Sequence, residues 1–272
     1  MSYGLSPSIE INEKDFLSGR RQTANRFAGT VGNFNWGPVG EKQFIRDEKD
    51  LVEVFHDPDD NNFADWFSVF NFNAYNDKLY VVRAIKDDGS DNAGIVITKT
   101  GTNAPFADLK KHEDDEISVT FGADDKFKFL ARYCGEFGNS ISVAMATATD
   151  FPIATTYVID EVGNQIAFRD IFEYAPQVGE VALVVLLNER VVERHIVSLT
   201  AGSKNFRGES NYIETYVNRR SKYIYAFNNT SQVDFSSFES TDFELRTDRI
   251  YHNTGVEFEK VSYLRFHMPF LV

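Results

Sequence analysis

Residues 63–85 read FADWFSVFNFNAYNDKLYVVRAI, and this stretch decides the fold class. Its first half places Phe63, Trp66, Phe67, Phe70 and Ala74 at i, i+3, i+4, i+7 and i+11, the spacing of one face of an amphipathic helix. A stripe this aromatic is expected to pack into a core. Asn76-Asp77 turns the chain, and Leu79–Ile85 then reads as a strand rich in β-branched residues.

Working back from this helix–strand pair, Asp47 is an N-cap for a shorter helix that sets Leu51, Val54 and Phe55 at helical spacing. Asp57-Pro58 ends it, because the residue before proline is pushed out of the helical region. Residues 27–46 read as a hairpin: a strand over Phe27–Phe34, turn chemistry at Trp36-Gly37-Pro38, and a return strand at Gln43-Phe44-Ile45. Hairpin, helix, helix and strand in that order predict a mixed α/β (α+β) chain in which a mixed sheet is flanked by helices.

Working forward, residues 86–126 turn acidic, with Asp87-Asp88-Gly89, Asp91-Asn92, Glu113-Asp114-Asp115-Glu116 and Asp124-Asp125. Short strand-like runs at Ala93–Thr98 and Ile117–Phe121 lie between them, so a small β-rich surface insertion is expected. Strands are then predicted at Ile141–Thr147, Thr155–Asp160 and Val181–Leu187. The last is apolar on both faces, as in a central strand, and Asn188-Glu189 turns it into Arg190–Leu199. Ser210 is placed to cap a helix with Tyr212, Ile213, Tyr216 and Val217 on one face and Arg219, Arg220 and Lys222 at its end, where cations suit the dipole. A strand over Ser221–Ala226 follows. Residues 228–255 are polar and weakly patterned, and the tail ends in the apolar run Phe266–Val272.

The N-terminal 26 residues read as an arm. Ile9 and Ile11 alternate with Glu10 and Asn12, a short period of two, and Arg20, Arg21 and Arg26 form a basic island. The island is either a solvated loop or an extension that docks on an acidic neighbour. The chain as a whole has 28 basic and 41 acidic residues in 272, a net charge of −13. Phosphate backbones and anionic lipid surfaces repel such a chain, so neither nucleic acid nor a membrane is expected as a partner. The aromatic content, with 25 Phe and 12 Tyr, favours strand-rich packing and extensive interfaces over disorder.

No catalytic, cofactor-binding or metal-ligating set emerges. Cys134 is the one cysteine, so neither an intramolecular disulfide nor a cysteine-built zinc site is available. The five histidines, His56, His112, His195, His252 and His267, are scattered without helix-face metal spacing. The Asp87–Asn92 loop has oxygen donors but lacks EF-hand spacing and its closing glutamate. Nucleophile-elbow, phosphate-loop and dinucleotide glycine patterns are absent. No hydrophobic h-region opens the chain.

Several of these residues, taken in order, resemble the contractile tail sheath proteins of tailed bacteriophages (myovirus type). Leu5-Ser6-Pro7-Ser8-Ile9-Glu10-Ile11-Asn12-Glu13 is similar to the family's SPGVE-x-x-E opening, and Phe34-Asn35-Trp36-Gly37-Pro38-Val39 to its WGP turn. Asp50-Leu51 with Val54-Phe55 resembles the DL-x-x-x-FG helix, although His56-Asp57-Pro58 stands where the family has Gly-x-Pro. Trp66-Phe67, Asn71-Phe72 and Tyr75, with Leu79-Tyr80-Val81-Val82-Arg83, resemble the next helix and its VVR strand. Gly135-Glu136-Phe137-Gly138-Asn139-Ser140-Ile141 is similar to PGE-x-GN-x-I. Val192–Ser198, Gly202–Asn205, Tyr212-Ile213, Asn218 and Ser221–Ile224 resemble the stretch that follows.

The resemblance implies a tail-sheath-like core over residues 27–85 and 127–246. It implies an arm over 1–26, a surface insertion over 86–126 and a tail or second arm over 247–272. It implies a virion structural subunit, assembled in the host cytoplasm, with no enzymatic role. Such subunits polymerise around the tail tube through strand-donating arms and contract during genome delivery. Partners would be copies of the chain itself, the tail tube protein, and baseplate and tail-terminator proteins. Ile9, Glu10, Ile11, Arg20 and Arg21 would make the arm's inter-subunit contacts. Family members continue into a C-terminal part. This chain is accordingly an N-terminal portion, a shortened paralogue, or a protein in which residues 240–272 are all that remains of that part. A sheath-like baseplate, collar or tail-terminus protein is the alternative role, and an enzyme whose site forms only in space is a third.

Overall fold

The computed structural model describes residues 27–85, 92–98, 103–105, 120–152, 157–159, 162–229 and 243–244. Within them the chain is a mixed α/β protein of several small sheets and four helices.

The first layer is a three-stranded sheet of β1 (Ala28–Gly32), β2 (Lys42–Ile45) and β3 (Leu79–Arg83). The expected hairpin between β1 and β2 does not form. β3 lies between them, parallel to β1 and antiparallel to β2, with Thr30 opposite Val81 and Phe44 opposite Tyr80. The physical reason is burial: Leu79, Val81, Val82 and Arg83 are all buried, so β3 takes the central position, and the two more exposed strands become its edges.

Helices α1 (Glu48–Phe55) and α2 (Phe63–Asn73) form the crossover that the parallel β1–β3 pairing requires. Asp47 caps α1 as expected, its carboxylate accepting from the Asp50 amide at 2.8 Å. Leu51 and Phe55 of α1, with Trp66 and Val69 of α2, pack on Ile45, Leu79 and Val81 of the sheet and on Phe34. The aromatic stripe of α2 is corrected here. Trp66 is buried, but Phe63 and Phe67 are 57% and 46% exposed. The helix turns Trp66 and Val69 inward, and the stripe's other half faces solvent.

Two antiparallel sheets make up most of the rest. One has the order β11–β10–β7–β13, from Arg190–Ser198, Glu180–Leu187, Ile141–Thr147 and Phe243–Glu244. The other has the order β12–β6–β4–β5, from Ile224–Asn228, Asp125–Ala131, Gly94–Thr98 and Asn103–Pro105. The single flanked mixed sheet expected from sequence is therefore confined to the first layer. Of the long strands, β10 and β11 are joined by a short turn, which makes their pairing antiparallel. Asn188 and Glu189, at φ 48° and 65°, turn β10 into β11, the geometry of a two-residue hairpin turn. A bulge sets Leu186 opposite Val191 after Val185 opposite Glu193, so Val192 is the extra residue.

β10 is central, as its apolar run predicts, and is buried on both faces. Val181, Leu183 and Val185 point into a core shared with Phe127 and Phe129 of β6, Ile224 of β12, and Ile213 and Val217 of α4 (Ile213–Arg220). Ala182, Val184 and Leu186 point to a second core with Phe151, Val158 and Phe168. That core lies beneath the β8–β9 ribbon (Tyr157–Ile159, Gln165–Ala167) and the short α3 (Phe168–Ile171).

Ser210 does not cap α4. The N-cap is Tyr212, without a side-chain bond, and Ser210 Oγ instead accepts from the Tyr212 amide at 3.4 Å. Bridges from Ser210 to Lys204 and from Tyr212 to Ser198 hold this segment extended until residue 213.

Candidate functional site

The side chain that ties the layers together is Arg83, at the end of β3. Strand alternation puts it on the same face as Leu79 and Val81, and it is fully buried. Four main-chain carbonyls accept from its guanidinium. Nε donates to Phe34 at 2.6 Å, Nη1 to Gly37 at 2.9 Å, and Nη2 to Asn35 at 3.0 Å and to Cys134 at 2.9 Å. Burial pushes its pKa down, opposed by neighbours that include Cys134 and Tyr133. A guanidinium nevertheless stays charged in proteins, and its planar fork serves several carbonyls at once.

Two glycines make this approach possible. Gly37 has φ 104°, and a Cβ there would meet Phe55 and the Val54 carbonyl at 2.8 Å. Gly135 has φ 119°, and its Cβ would come within 3.0 Å of Arg83 Nη2. The Trp36-Gly37-Pro38 turn, the arginine of the VVR strand and Cys134-Gly135 thus converge on one buried junction.

Around it lies an aromatic cluster. Trp36 packs on Tyr133 and Phe137 at 5.1 Å each, and on Tyr223 at 6.2 Å. His56 stacks on Phe137 at 4.7 Å. Its carbonyl accepts from Trp66 Nε1 at 2.9 Å, and its backbone takes φ 60° at the end of α1. Burial pushes the His56 imidazole down, with Asp57 opposing. The cluster fills its own interior, because Trp36 is 2% exposed.

A second junction gathers Glu193, His195 and Ser221. These are residue types of a nucleophilic triad, but their order is wrong for one. Ser221 Oγ donates to Glu193 at 2.6 Å, and His195 Nε2 meets the same carboxylate oxygen at 3.1 Å. A nucleophile needs its hydroxyl on the base; here the carboxylate takes both. Ser221 Oγ also accepts from the amides of Tyr223 and Ile224, and the Lys222 amide donates to Glu193 at 2.7 Å. Burial pushes the Glu193 carboxyl up, but the bonds from His195, Ser221 and Lys222 outweigh it and hold the group below the ordinary range. Arg132 caps the end of α4 by donating to the carbonyls of Asn218 and Ser221, and Lys222 pairs with Glu53 of α1. This junction is a clamp between β11, α4, β12 and the helix layer.

The expected arm contacts, Ile9, Glu10, Ile11, Arg20 and Arg21, lie outside the described residues, as do Asp87–Asp91. Asn92 is buried and donates to the Ala131 carbonyl at 2.8 Å. His112, His252 and His267 are also outside. Among the described residues no group of three or more His, Cys, Asp and Glu is placed to hold a metal ion. No described helix is long and apolar enough to cross a membrane. Cys134 is a buried thiol.

The Arg83 junction was missed in the sequence because its acceptors are main-chain carbonyls. The one available signal was a charged residue on the core-facing register of an apolar strand.

No family model matches the chain. Three curated phage proteins do. The tail sheath protein of Salmonella phage ViI is 26% identical over 186 residues, 68% of this chain and 26% of that protein. The tail sheath protein of Enterobacteria phage T4 is 31% identical over 122 residues, 44% of this chain and 18% of that protein. The tail sheath protein of Vibrio phage KVP40 is 23% identical over 335 aligned positions, 82% of this chain and 50% of that protein. The chain therefore spans half or less of the length of these relatives. Two solved sheath tail proteins, from Listeria innocua and Desulfitobacterium hafniense, align at 14% identity with TM-scores of 0.41 and 0.43. The alignments cover 81% and 90% of this chain and 34% and 40% of those. The chain is a distant homologue of phage tail sheath proteins.

Proposed function

We propose that this chain is a non-enzymatic structural subunit of a phage contractile tail. In this reading it polymerises around the tail tube in the host cytoplasm, becomes part of the virion, and moves as a rigid core during contraction. The observation that carries the reading is the sequence likeness to three phage tail sheath proteins. It is supported by the buried junction on which the sheath-like motifs meet, since Arg83 of the helix-backed sheet holds three carbonyls of the 34–37 turn and one, that of Cys134, in the loop after β6. A subunit that transmits force needs layers that do not slide.

Residues 1–26 act as the arm. Ile9, Glu10 and Ile11 add a strand to a neighbour's sheet through main-chain bonds, with Arg20 and Arg21 meeting that neighbour's acidic surface. Residues 86–126 serve as an insertion anchored in the core by β4, which pairs with β6, and 247–272 serve as a second arm. Deleting residues 1–20 tests the arm directly. Assemblies seen by electron microscopy with the full chain are expected to be lost; assemblies of unchanged form and yield would overturn the arm's role. Counting copies per virion separates a sheath from a terminal ring, which holds about six or twelve.

A further inference from the structure

Phe27, Phe44 and Tyr80 form an aromatic trio on the outer face of the β1–β3–β2 sheet, with ring centroids 5.3–6.3 Å apart. Phe27 and Phe44 are 50% and 41% exposed. Ile45, Leu79 and Val81 face the helices, so strand alternation sends the trio away from them. Gly29 stands opposite Tyr80 in the register and puts no side chain beside its ring. Adjacent exposed aromatics of this kind mark an interaction surface.

The place where the chain enters the fold decides what covers this surface. Phe27 is the first described residue, so residues 1–26 are joined to the trio itself. A segment on so short a tether meets the face at an effective concentration of about 1 mM, and a free partner at micromolar concentration competes only by binding about a thousandfold more tightly. Self-pairing of the face is also disfavoured. Lys42 shares the outer register of β2 with Phe44, and Lys78 Nζ lies 6.0 Å from the Phe27 ring centroid. Two copies set face to face would bring these cations onto their counterparts.

The tethered segment has a suitable apolar pair in Phe16-Leu17, followed by the turn residues Ser18-Gly19. The nine residues 18–26 can reach up to about 30 Å, several times the 6.3 Å between the most distant rings of the trio. The return is therefore sterically open.

We infer that in the free subunit the N-terminal segment folds back and seats Phe16 and Leu17 on the outer face of the β1–β3–β2 sheet, against Phe27, Phe44 and Tyr80. In an assembly the same segment has to leave this face to reach a neighbour, so the contact holds free subunits apart. That consequence rests on the assembly reading; the contact itself does not.

The test uses the 272-residue chain carrying Leu17→Cys and Phe44→Cys, oxidised in dilute solution. Cys134 is buried, and the chain with Phe44→Cys alone is the control for it. A disulfide between positions 17 and 44 is expected in the monomer fraction by peptide mass mapping, with a yield unchanged over roughly tenfold dilution. Leu17→Cys paired with Phe67→Cys, on the helix face, is expected to link far less. Absence of the 17–44 link, a link only between chains that fades on dilution, or equal linking to position 67 overturns the inference. If the double variant does not fold, Phe16→Ser with Leu17→Ser is expected to raise the fluorescence of a hydrophobic dye, and adding Phe44→Ser to remove that rise. Unchanged dye binding overturns the contact. The oxidised chain is expected not to assemble and to recover on reduction. Assembly equal to that of the reduced chain overturns the holding role and leaves the assembly reading intact. Failure of the unaltered chain to assemble removes that reading, while the 17–44 link still decides the contact.

Discussion

Arg83 donates to the carbonyl of Cys134 at 2.9 Å, and this bond joins the central strand of the helix-backed sheet to the loop that follows β6. The same guanidinium reaches three carbonyls between Phe34 and Gly37. Two segments about 100 residues apart along the chain (34–37 and 134) are thereby held on one charged group. Replacing Arg83 with Met would leave three buried acceptors and the half-buried Asn35 carbonyl without their donor. A loss of about 3 kcal/mol or more in urea unfolding is expected, since each buried acceptor left unsatisfied costs about 1–3 kcal/mol. Arg83→Lys is expected to recover only part, since an ammonium does not reproduce the planar fork. A loss below about 1 kcal/mol for Arg83→Met, the worth of one ordinary hydrogen bond, would contradict the junction's role.

Trp66 and Phe67 are neighbours in α2 with opposite roles. Trp66→Ala is expected to cost about 3–5 kcal/mol, from the cavity it leaves, and it also strands the His56 carbonyl. Phe63→Ser is expected to change stability by about 0.5 kcal/mol or less, as exposed positions do. Thermal melts of the two variants check the assignment of faces, and equal losses would reverse it.

Glu193 makes stability depend on pH with a definite sign. Its folded-state pKa lies below the ordinary value, so its contribution is present above the unfolded pKa and is lost as pH falls through the folded one. The loss is expected to run downward from about pH 5. Glu193→Gln is expected to cost about 1–3 kcal/mol at neutral pH and to fall less steeply in acid. Urea midpoints across that range check this; parallel acid curves for the two proteins would contradict it.

Asp47→Ala removes the α1 cap and is expected to cost about 0.5–2 kcal/mol in thermal unfolding. Asn188-Glu189 offers the opposite change. Both residues hold positive φ, so Glu189→Gly relieves about 1–2 kcal/mol of left-handed backbone cost against about 0.5–1 kcal/mol of added chain entropy, and a net gain of up to about 1 kcal/mol in thermal unfolding is expected.

Local features were legible in the sequence and distant ones were not. The β10–turn–β11 hairpin, the Asp47 cap and the central position of Val181–Leu187 follow from adjacent residues. The β1–β2 pairing failed because proximity along the chain favours a hairpin, whereas burial gives β3 both partners across a two-helix crossover. The stripe on α2 misled because Phe63 and Phe67 are as apolar as Trp66, and periodicity alone does not say which flank of a wide stripe meets the core. The Ser210 cap failed because bridges to Ser198 and Lys204, made elsewhere in the fold, hold the chain extended there. The absence of a nucleophilic arrangement at Glu193, His195 and Ser221 is a matter of which atom meets which. Spacing does not encode that.

The proposed role is that of an assembling subunit. Negative-stain electron microscopy of the purified 272-residue chain tests it most directly. Rings or helical tubes with a regular subunit repeat are the expected result. A chain that stays monomeric throughout its soluble concentration range would contradict the account.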